Sequence, residues 1–260
     1  MKKLLISSII MIAALIVNGQ FNKLVWSDEF NYKGLPDSTK WSYDIGNSGW
    51  GNNELQYYTA KRIENASVAD GLLTIKAVKE NYQGADYTSA RLVTKEKASW
   101  RYGRIEVRAK LPYGRGIWPA IWMLSADKVY GDWPRIGEID IMEHVGYNPD
   151  SVFATVHTQS YNHTIGTQKT KGIAFKNLST AFHIYAVEWT EKRISIFIDN
   201  HKYFEFDNEG KGIDVWPFDK KFYLLLNIAV GGNWGGKMGV DDNIFPQEMQ
   251  IDYVRVYQKK

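Results

Sequence analysis

RIGEIDIMEHVG, residues 135–146, is the stretch that decides what kind of fold this chain adopts. Acidic and apolar residues alternate between Glu138 and Ile141, which is the period of a β-strand that buries one face in a core. Glu138 and Asp140 therefore share the opposite face of that strand. The stretch predicts a half-buried strand with two carboxyl groups on its open side.

Glu143 is out of phase with this alternation. In a regular strand its side chain would point into the apolar side, where an unpaired carboxylate is costly. A β-bulge adds one residue to a strand and returns the following side chains to the other face. We therefore predict a bulge at Ile141–Met142 that places Glu143 beside Glu138 and Asp140.

Three carboxyl groups on one short ridge point to a particular chemistry. They cannot all ionise comfortably at neutral pH, so the pKa of at least one of them must rise. A neutral carboxylic acid beside an ionised carboxylate is the pair that glycoside hydrolysis requires. An acidic strand is more often a plain solvated sheet face, but the out-of-phase third acid and the aromatic surroundings favour catalysis.

The rest of the chain repeats the same short period. Apolar residues alternate in short runs between Gly, Asn, Asp and Pro, and no helix of convincing length is predicted. These runs, among them Thr88–Thr94, Ile136–Val145 and Val152–His157, predict an all-β fold, an antiparallel β-sandwich. We find no internal repeat or linker, so residues 21–260 are expected to form a single domain.

The first twenty residues have the composition of a secretory signal peptide. Lys2 and Lys3 precede an apolar run from Leu4 to Val17 that is too short for a comfortable membrane span. We expect residues 1–20 to be removed and the protein to be secreted, to the extracellular space or the periplasm; an uncleaved anchor is the alternative. The chain has no Cys and must hold together without disulfides.

The charge balance excludes several classes of partner. The formal net charge is +3, and removing Lys2 and Lys3 from the 32 basic residues leaves 30 against 29 acidic ones. This balance offers no basic field for nucleic acid or another polyanion. Aromatic residues make up 14% of the chain and 10 are Trp, whose flat apolar face suits a sugar ring. The expected partner is a neutral polysaccharide, with no nucleic acid, no membrane after signal cleavage and a monomeric chain.

The acidic motif resembles that of glycoside hydrolase family 16. Glu138-x-Asp140-x-x-Glu143 is the specific match, and the similarity extends from WSDEF at residues 26–30 to IDYVRVY at residues 251–257. The resemblance implies a β-jelly roll with a substrate cleft on its concave face. It also implies retaining hydrolysis of internal β-linkages, with Glu138 as nucleophile, Glu143 as acid and then base, and Asp140 orienting Glu138.

The resemblance also supplies candidates for substrate binding. Asn52, in a segment rich in Gly and Asn, matches a residue that contacts sugar in the laminarinases of the family, which cleave β-1,3-glucan. Arg91 would reach sugar hydroxyls from inside the cleft, although a surface ion pair explains it equally well from the sequence. Trp118, in a W-P-A-x-W segment, is the expected stacking platform, and Trp122 is its neighbour on the same strand face.

Two further candidates flank the acidic strand. Trp133 lies on the loop that enters the strand, a suitable place for a subsite wall. A hairpin turn centred near Asn148 and Pro149 would bring His157 roughly opposite Asp140, give or take the bulge. A lone His is usually structural, but this register and the family's His at this place predict that His157 hydrogen-bonds near the acids or the sugar.

No cofactor is expected for catalysis, whereas the family implies a structural Ca²⁺ on the face away from the cleft. The positions that resemble its ligands are Glu29, Gly71 and Asp252. Hard oxygen ligands, backbone carbonyls included, suit Ca²⁺. The alternative is that Glu29 and Asp252 are ordinary surface acids.

Other functions stay open on the sequence alone. A mixed-linkage β-1,3-1,4-glucanase is the second choice, and an agarase or carrageenase a distant third, because a sulfated galactan should favour a basic cleft. A non-catalytic lectin or carbohydrate-binding module would equally explain the secretion signal, the Trp content and the fold. Only the acids argue against it, because a binding module has no need for two Glu and an Asp at this spacing.

Overall fold

The computed structural model describes residues 20–260, which form two β-sheets packed against each other. The predicted signal peptide thus lies outside the described residues except for Gln20. Within residues 20–260 no helix is long and apolar enough to cross a membrane. The strands are β1 (Lys23–Asp28), β2 (Ser42–Asp44), β3 (Gln56–Tyr58), β4 (Ala66–Ala69), β5 (Leu72–Tyr82), β6 (Ala85–Ser89), β7 (Arg91–Val93), β8 (Gly103–Lys110), β9 (Ile117–Ser125), β10 (Glu138–Glu143), β11 (Ser151–His157), β12 (Lys169–Ala174), β13 (His183–Trp189), β14 (Arg193–Ile198), β15 (His201–Asp207), β16 (Phe222–Val230) and β17 (Gln247–Gln258). Three short 3₁₀ helices occupy Gly49–Gly51, His163–Ile165 and Asp242–Ile244.

The acidic strand β10 lies near the middle of the smaller sheet. That sheet has the order β12-β11-β10-β9-β16-β7-β2, and the larger one has the order β15-β14-β13-β8-β17-β5-β6-β3, with β1 beside β17 and β4 beside β5. Among the described strands, each pairing is antiparallel apart from that of β3 with β6. The predicted all-β sandwich is confirmed.

The core fills the space between the two sheets, and one strand shows how the outer face is used. β16 is buried along all of its residues, Phe222–Val230. Its inward side chains belong to the main core, while Tyr223 and Leu225 pack with Val93 under Trp122 on the outer face. The outer face of the smaller sheet therefore carries its own apolar patch beside the acids.

The prediction of one strand over Thr88–Thr94 is wrong. The chain forms β6 up to Ser89 and begins β7 at Arg91, and the two strands belong to different sheets. Ala90, which is fully buried, links them. A period-2 pattern does not reveal this change of sheet, because side chains alternate in the same way on both sides of it. As a result, Arg91 is delivered to the sheet that carries the acids.

β12 was not predicted either. Its sequence, KTKGIA, is mostly exposed and lacks an apolar alternation. It forms the edge of the smaller sheet next to β11, and lysines on an edge strand are typical because they discourage pairing with other chains. Edge strands of this kind bury too little for a hydrophobic pattern to mark them.

Candidate active site

The structure has the predicted bulge in β10. The pairing of β10 with both neighbours, β9 and β11, shifts register by one residue between Asp140 and Glu143. Ile141 and Met142 are both fully buried. Because two consecutive residues occupy the core side, Glu143 returns to the open face that carries Glu138 and Asp140.

Each of the two glutamates is held by an indole N–H. Trp133 Nε1 donates to Glu138 Oε2 at 2.8 Å, and Trp118 Nε1 donates to Glu143 Oε1 at 3.1 Å. Trp118 and Trp133 were predicted as walls for the sugar, and these hydrogen bonds add a contact to the acids themselves. The orientation of both carboxyl groups is therefore set before any substrate arrives.

His157 lies directly against the acids. Its Nε2 is 3.4 Å from Asp140 Oδ2 and 3.8 Å from Glu138 Oε1. In the β10–β11 pairing, however, His157 stands opposite Glu138, two residues from the predicted partner. One residue of this difference comes from the bulge. The second residue of the difference comes from the turn. Because Glu143 pairs with Phe153, the turn is centred on Asn148, half a residue earlier than predicted.

Burial raises the pKa of all three acids, and repulsion by neighbouring acids adds to it for the two glutamates. Burial, with the nearby Asp140 charge, raises the pKa of Glu138 to about 8. Burial likewise raises the pKa of Asp140 to about 7. Burial, together with the charges of Asp140 and Glu138, raises the pKa of Glu143 well above its usual range. The direction is the one expected for crowded carboxyl groups, so the site holds protons at neutral pH.

A cleft of about 330 Å³ opens over these acids. It runs across the smaller sheet, since its lining comes from β7, β16, β9 and β10 in turn. Five of the predicted substrate-binding residues line it, and His157 lies at its buried floor beside the acids. Those five residues are Asn52, Arg91, Trp118, Trp122 and Trp133.

Arg91 forms an ion pair and also lines the cleft, although it is buried and not on the surface. Its Nε lies 2.9 Å from Asp44 Oδ2 in an ion pair. The guanidinium carbon is 4.7 Å from the ring centre of Trp50 and 4.6 Å from that of Trp122. Stacked between two indoles, Arg91 faces the cleft while its charge is balanced by Asp44.

Glu54 is a cleft residue that the sequence analysis missed. Its Oε2 accepts hydrogen bonds from Gln56 Nε2 at 2.7 Å and from the Tyr58 hydroxyl at 3.1 Å, and burial raises its pKa. Its position two residues after Asn52 was the feature of the sequence that could have indicated a place in the cleft. Spacing could not show which polar residues of a loop turn inward, because that depends on contacts with a distant glycine-rich loop, such as Asn233 N to Asn52 O at 2.7 Å.

Comparison with known proteins identifies the family. The model of Glycosyl hydrolases family 16 matches residues 52–255. A beta-glucanase of Rhodothermus marinus is 58% identical over 242 residues, which are 90% of this chain and 85% of that protein. The chain belongs to glycosyl hydrolase family 16.

Solved structures agree with this family 16 assignment. The laminarinase from Rhodothermus marinus superimposes with a TM-score of 0.90 at 57% identity, covering 92% of this chain and 98% of that one. SCLam, a non-specific endo-beta-1,3(4)-glucanase of the same family, superimposes with a TM-score of 0.88 at 50% identity, covering 92% and 91%. Both likenesses extend over nearly the whole described chain, cleft included.

The described residues contain one group of His and acidic side chains close enough to share a metal ion. It consists of Glu138, Asp140 and His157, whose ligand atoms lie within 4.8 Å of one another. These are the cleft residues themselves, so an ion there would occupy the acids that the chemistry of family 16 needs. This group is separate from the positions that the sequence analysis assigned to calcium.

The three calcium positions lie where β1, β5 and β17 meet. β8 pairs along one edge of β17, while β5 and β1 pair one after the other along the opposite edge, and Asp252 is the irregular residue of β17. The Glu29 carboxylate accepts from Arg255 Nε at 3.0 Å and from Nη2 at 2.7 Å. Asp252 accepts from Arg108. Because Arg255 and Arg108 engage these carboxylates, an ion here would depend mainly on backbone carbonyls, those of Gly71 included.

Proposed function

We propose that this protein is a retaining endo-β-1,3-glucanase that hydrolyses internal bonds of laminarin-type β-glucan. The observation that carries the proposal is the bulge in β10, which sets Glu138, Asp140 and Glu143 on one face under an open cleft. The family 16 membership and the 0.90 TM-score to a laminarinase support the same substrate class. The near-neutral charge of the chain fits an uncharged glucan.

In this mechanism Glu138 is the nucleophile and Glu143 is the general acid and then the general base. Glu138 attacks the anomeric carbon and forms a covalent glycosyl-enzyme, while Glu143 gives its proton to the departing glycosidic oxygen. Glu143 then accepts a proton from the water that hydrolyses the intermediate. A carboxyl separation of about 5–5.5 Å accompanies retention, whereas about 6.5–9.5 Å accompanies inversion.

Asp140 and His157 are the supporting pair. Oxygen atoms of Asp140 and Glu138 lie within 4.8 Å of each other, and Asp140 Oδ2 lies 3.4 Å from His157 Nε2. A proton shared within this group lets Glu138 carry the negative charge needed for attack. The raised pKa of Glu143 keeps the acid protonated in the same pH range.

Substrate binding is assigned to the walls of the cleft. Trp118, Trp122 and Trp133 offer apolar faces to sugar rings, while Asn52 and Arg91 offer donors to hydroxyl groups. A cleft that crosses several strands accommodates a chain of sugars, which is what cleavage of internal bonds requires.

A mixed-linkage β-1,3-1,4-glucanase is the second candidate. SCLam, which shares 50% identity, carries the description of a non-specific endo-beta-1,3(4)-glucanase. A non-catalytic binding module is less well supported, because it would have no reason to bury three acids at the floor of its sugar site. Product analysis on laminarin, lichenan and agarose separates these candidates, and activity confined to agarose would refute our choice.

The decisive test is the substitution Glu138→Ser. Glucan binding should persist, while turnover of laminarin should fall by about 10⁴-fold or more, as for removal of a nucleophile in other enzymes. Glu205→Ser, an exposed acid on β15, is the matched control and should keep normal turnover. A near-normal rate of laminarin turnover in Glu138→Ser would contradict the mechanism.

We further propose that the protein is secreted as a monomer after loss of residues 1–20, and that it holds a structural Ca²⁺ near Gly71 and Asp252. The apolar segment from Leu4 to Val17 supports export, and the meeting of β1, β5 and β17 supports the ion site. N-terminal sequencing and size-exclusion chromatography of protein from the medium or periplasm test the first proposal. An intact N-terminus would contradict it.

A further inference from the structure

Beyond Glu143, the outer face of the smaller sheet carries an aromatic ring that the mechanism does not use. Phe153 on β11 is the direct cross-strand partner of Glu143, so both side chains lie on the cleft face. Phe153 in turn pairs with Gly172 on the edge strand β12. A Cβ at Gly172 would come within 2.6 Å of Phe153 Cε1. The ring therefore lies directly against Gly172, in the space that a side chain would fill.

A second aromatic residue stands beside this ring. Trp234, on the glycine-rich loop after β16, has its ring centre 5.1 Å from that of Phe153 at an interplanar angle of 73°. It also lies 5.6 Å from Trp118 at 78°, and Trp118 donates to Glu143. Phe153 thus forms the floor of this surface and Trp234 its wall. Trp234 contacts Trp118, whose indole N–H donates to Glu143, the proposed acid.

These rings are not part of the core. Neither Phe153 nor Trp234 belongs to the clusters of buried apolar residues, and both are half-exposed. Gly172 beneath the ring is itself exposed. Large aromatic side chains left half-open beside a cleft mark a binding surface more than a packing requirement.

The polar groups beside the rings suit a sugar. Thr155 and Thr170 pair across β11 and β12 next to Phe153 and Gly172, and their hydroxyl oxygens lie 2.9 Å apart. Thr170 is exposed. An aromatic face with a hydroxyl at its edge matches a sugar ring, which presents C–H groups on its face and hydroxyls around its rim.

We propose that Phe153 and Trp234 form a subsite for the sugar on the leaving-group side of the bond that is cut. This inference rests on the proposed function. Apart from His157, the predicted sugar contacts on the sheet, among them Arg91 and Trp122, lie on the β9, β16 and β7 side of β10. Phe153 lies on the opposite side, next to Glu143, which protonates the leaving group. An enzyme that cuts internal bonds must hold sugar on both sides, and this surface supplies the second one.

The test compares two leaving groups. In laminarihexaose the leaving group is a sugar chain that would occupy the new subsite, whereas in 4-nitrophenyl β-laminaribioside it is an aromatic alcohol with no sugar there. For Phe153→Ala and Trp234→Ala, kcat/KM on laminarihexaose should fall about 10–100-fold. That loss should exceed the loss on the aryl glycoside by at least about tenfold. Phe153→Tyr, which keeps the ring, should restore most of the difference.

Two control variants and one further variant sharpen the comparison. Trp122→Ala, on the opposite arm of the cleft, should lower kcat/KM for both substrates to a similar degree. Tyr257→Ala removes a half-exposed ring from β17 of the larger sheet and should lower neither. If Phe153→Ala fails to fold, Gly172→Val offers a second route, because its side chain must displace the Phe153 ring.

The outcomes separate the two proposals. Equal losses on both substrates in Phe153→Ala and Trp234→Ala, or no loss on either, would overturn the leaving-group subsite. Wild-type protein that cleaves neither laminarihexaose nor the aryl glycoside would instead overturn the proposed function.

Discussion

The neighbours of Glu143 hold its proton more firmly than those of Glu138 do. Two negative groups, Asp140 and Glu138, act on Glu143 in addition to burial. Asp140 is the one acid whose charge raises the pKa of Glu138, whereas His157 and an indole N–H lower the pKa of both glutamates. These contacts favour a charged Glu138 and a neutral Glu143, which is the division of labour that retaining hydrolysis needs.

The raised pKa of Glu143 has a cost in stability. A carboxyl whose pKa is higher in the folded protein than in the unfolded chain binds more protons when folded, so its stabilising contribution is present below the ordinary value of 4.5 and is lost as pH rises towards the folded pKa. We expect Glu143→Gln to be more stable than the wild type by roughly 1–3 kcal/mol at pH 9 and by little at pH 5.

Thermal unfolding at both pH values measures this difference. For a domain of this size each kcal/mol corresponds to roughly 2–4 °C in Tm. Glu205→Gln, an exposed acid, is the control and should show no such pH-dependent gain. An equal gain at pH 5 and pH 9 would mean that packing, rather than the buried charge, is responsible.

At the scale of the element, the bulge in β10 decides where Glu143 points. Ile141 and Met142 both occupy the core side between Asp140 and Glu143. Removing one of the two leaves a regular strand of alternating faces in which Glu143 still falls on the cleft side. Adding one residue has the opposite effect, because it moves Glu143 by a full step to the core side.

This geometry predicts different results for a deletion and an insertion. Deletion of Met142 should shift Glu143 by a fraction of a residue and lower kcat by about 10²-fold, the scale of an ångström-level misplacement. Insertion of one Ala after Asp140 should bury Glu143 and lower kcat by about 10⁴-fold or more. The rate on laminarin and the far-UV CD spectrum of each variant test this. A deletion as damaging as the insertion would contradict the role given to the bulge.

At the scale of the whole molecule, the N-terminal strand β1 and the C-terminal strand β17 lie side by side in the larger sheet. Without Cys, the described sandwich depends on its core and on junctions such as this one. The proposed calcium site lies at the same place, where Asp252 interrupts β17 between its pairings with β5 and β1. An ion there would tie three strands together.

Chelation should therefore lower the melting temperature. Calcium at about 100 times its Kd stabilises a folded protein by roughly 2.7 kcal/mol, or roughly 5–10 °C here. EDTA should remove this gain, and Asp252→Asn should reduce it. Arg108→Gln breaks the ion pair to Asp252 but leaves the carbonyls, so it should keep the calcium response. An unchanged Tm after chelation would count against the site.

The chemistry of the site and the type of fold were determined by the sequence on its own. Alternation with a period of two is a local property of the chain, and it identified the acidic strand, the sandwich and the phase error of Glu143. The spacing of three acids also required a bulge at Ile141–Met142, which the structure has. These inferences succeeded because the faces of a strand follow from neighbouring residues alone.

Contacts between distant parts of the chain were decided only by the tertiary structure. The change of sheet at Ala90, the pairing of His157 with Glu138, and the loop contacts that turn Glu54 inward depend on register and packing. So does the placement of Phe153 over Gly172 beside Glu143. A residue's own neighbours set which face it occupies, whereas the strand that lies opposite is chosen by the burial and hydrogen bonding of the whole sandwich.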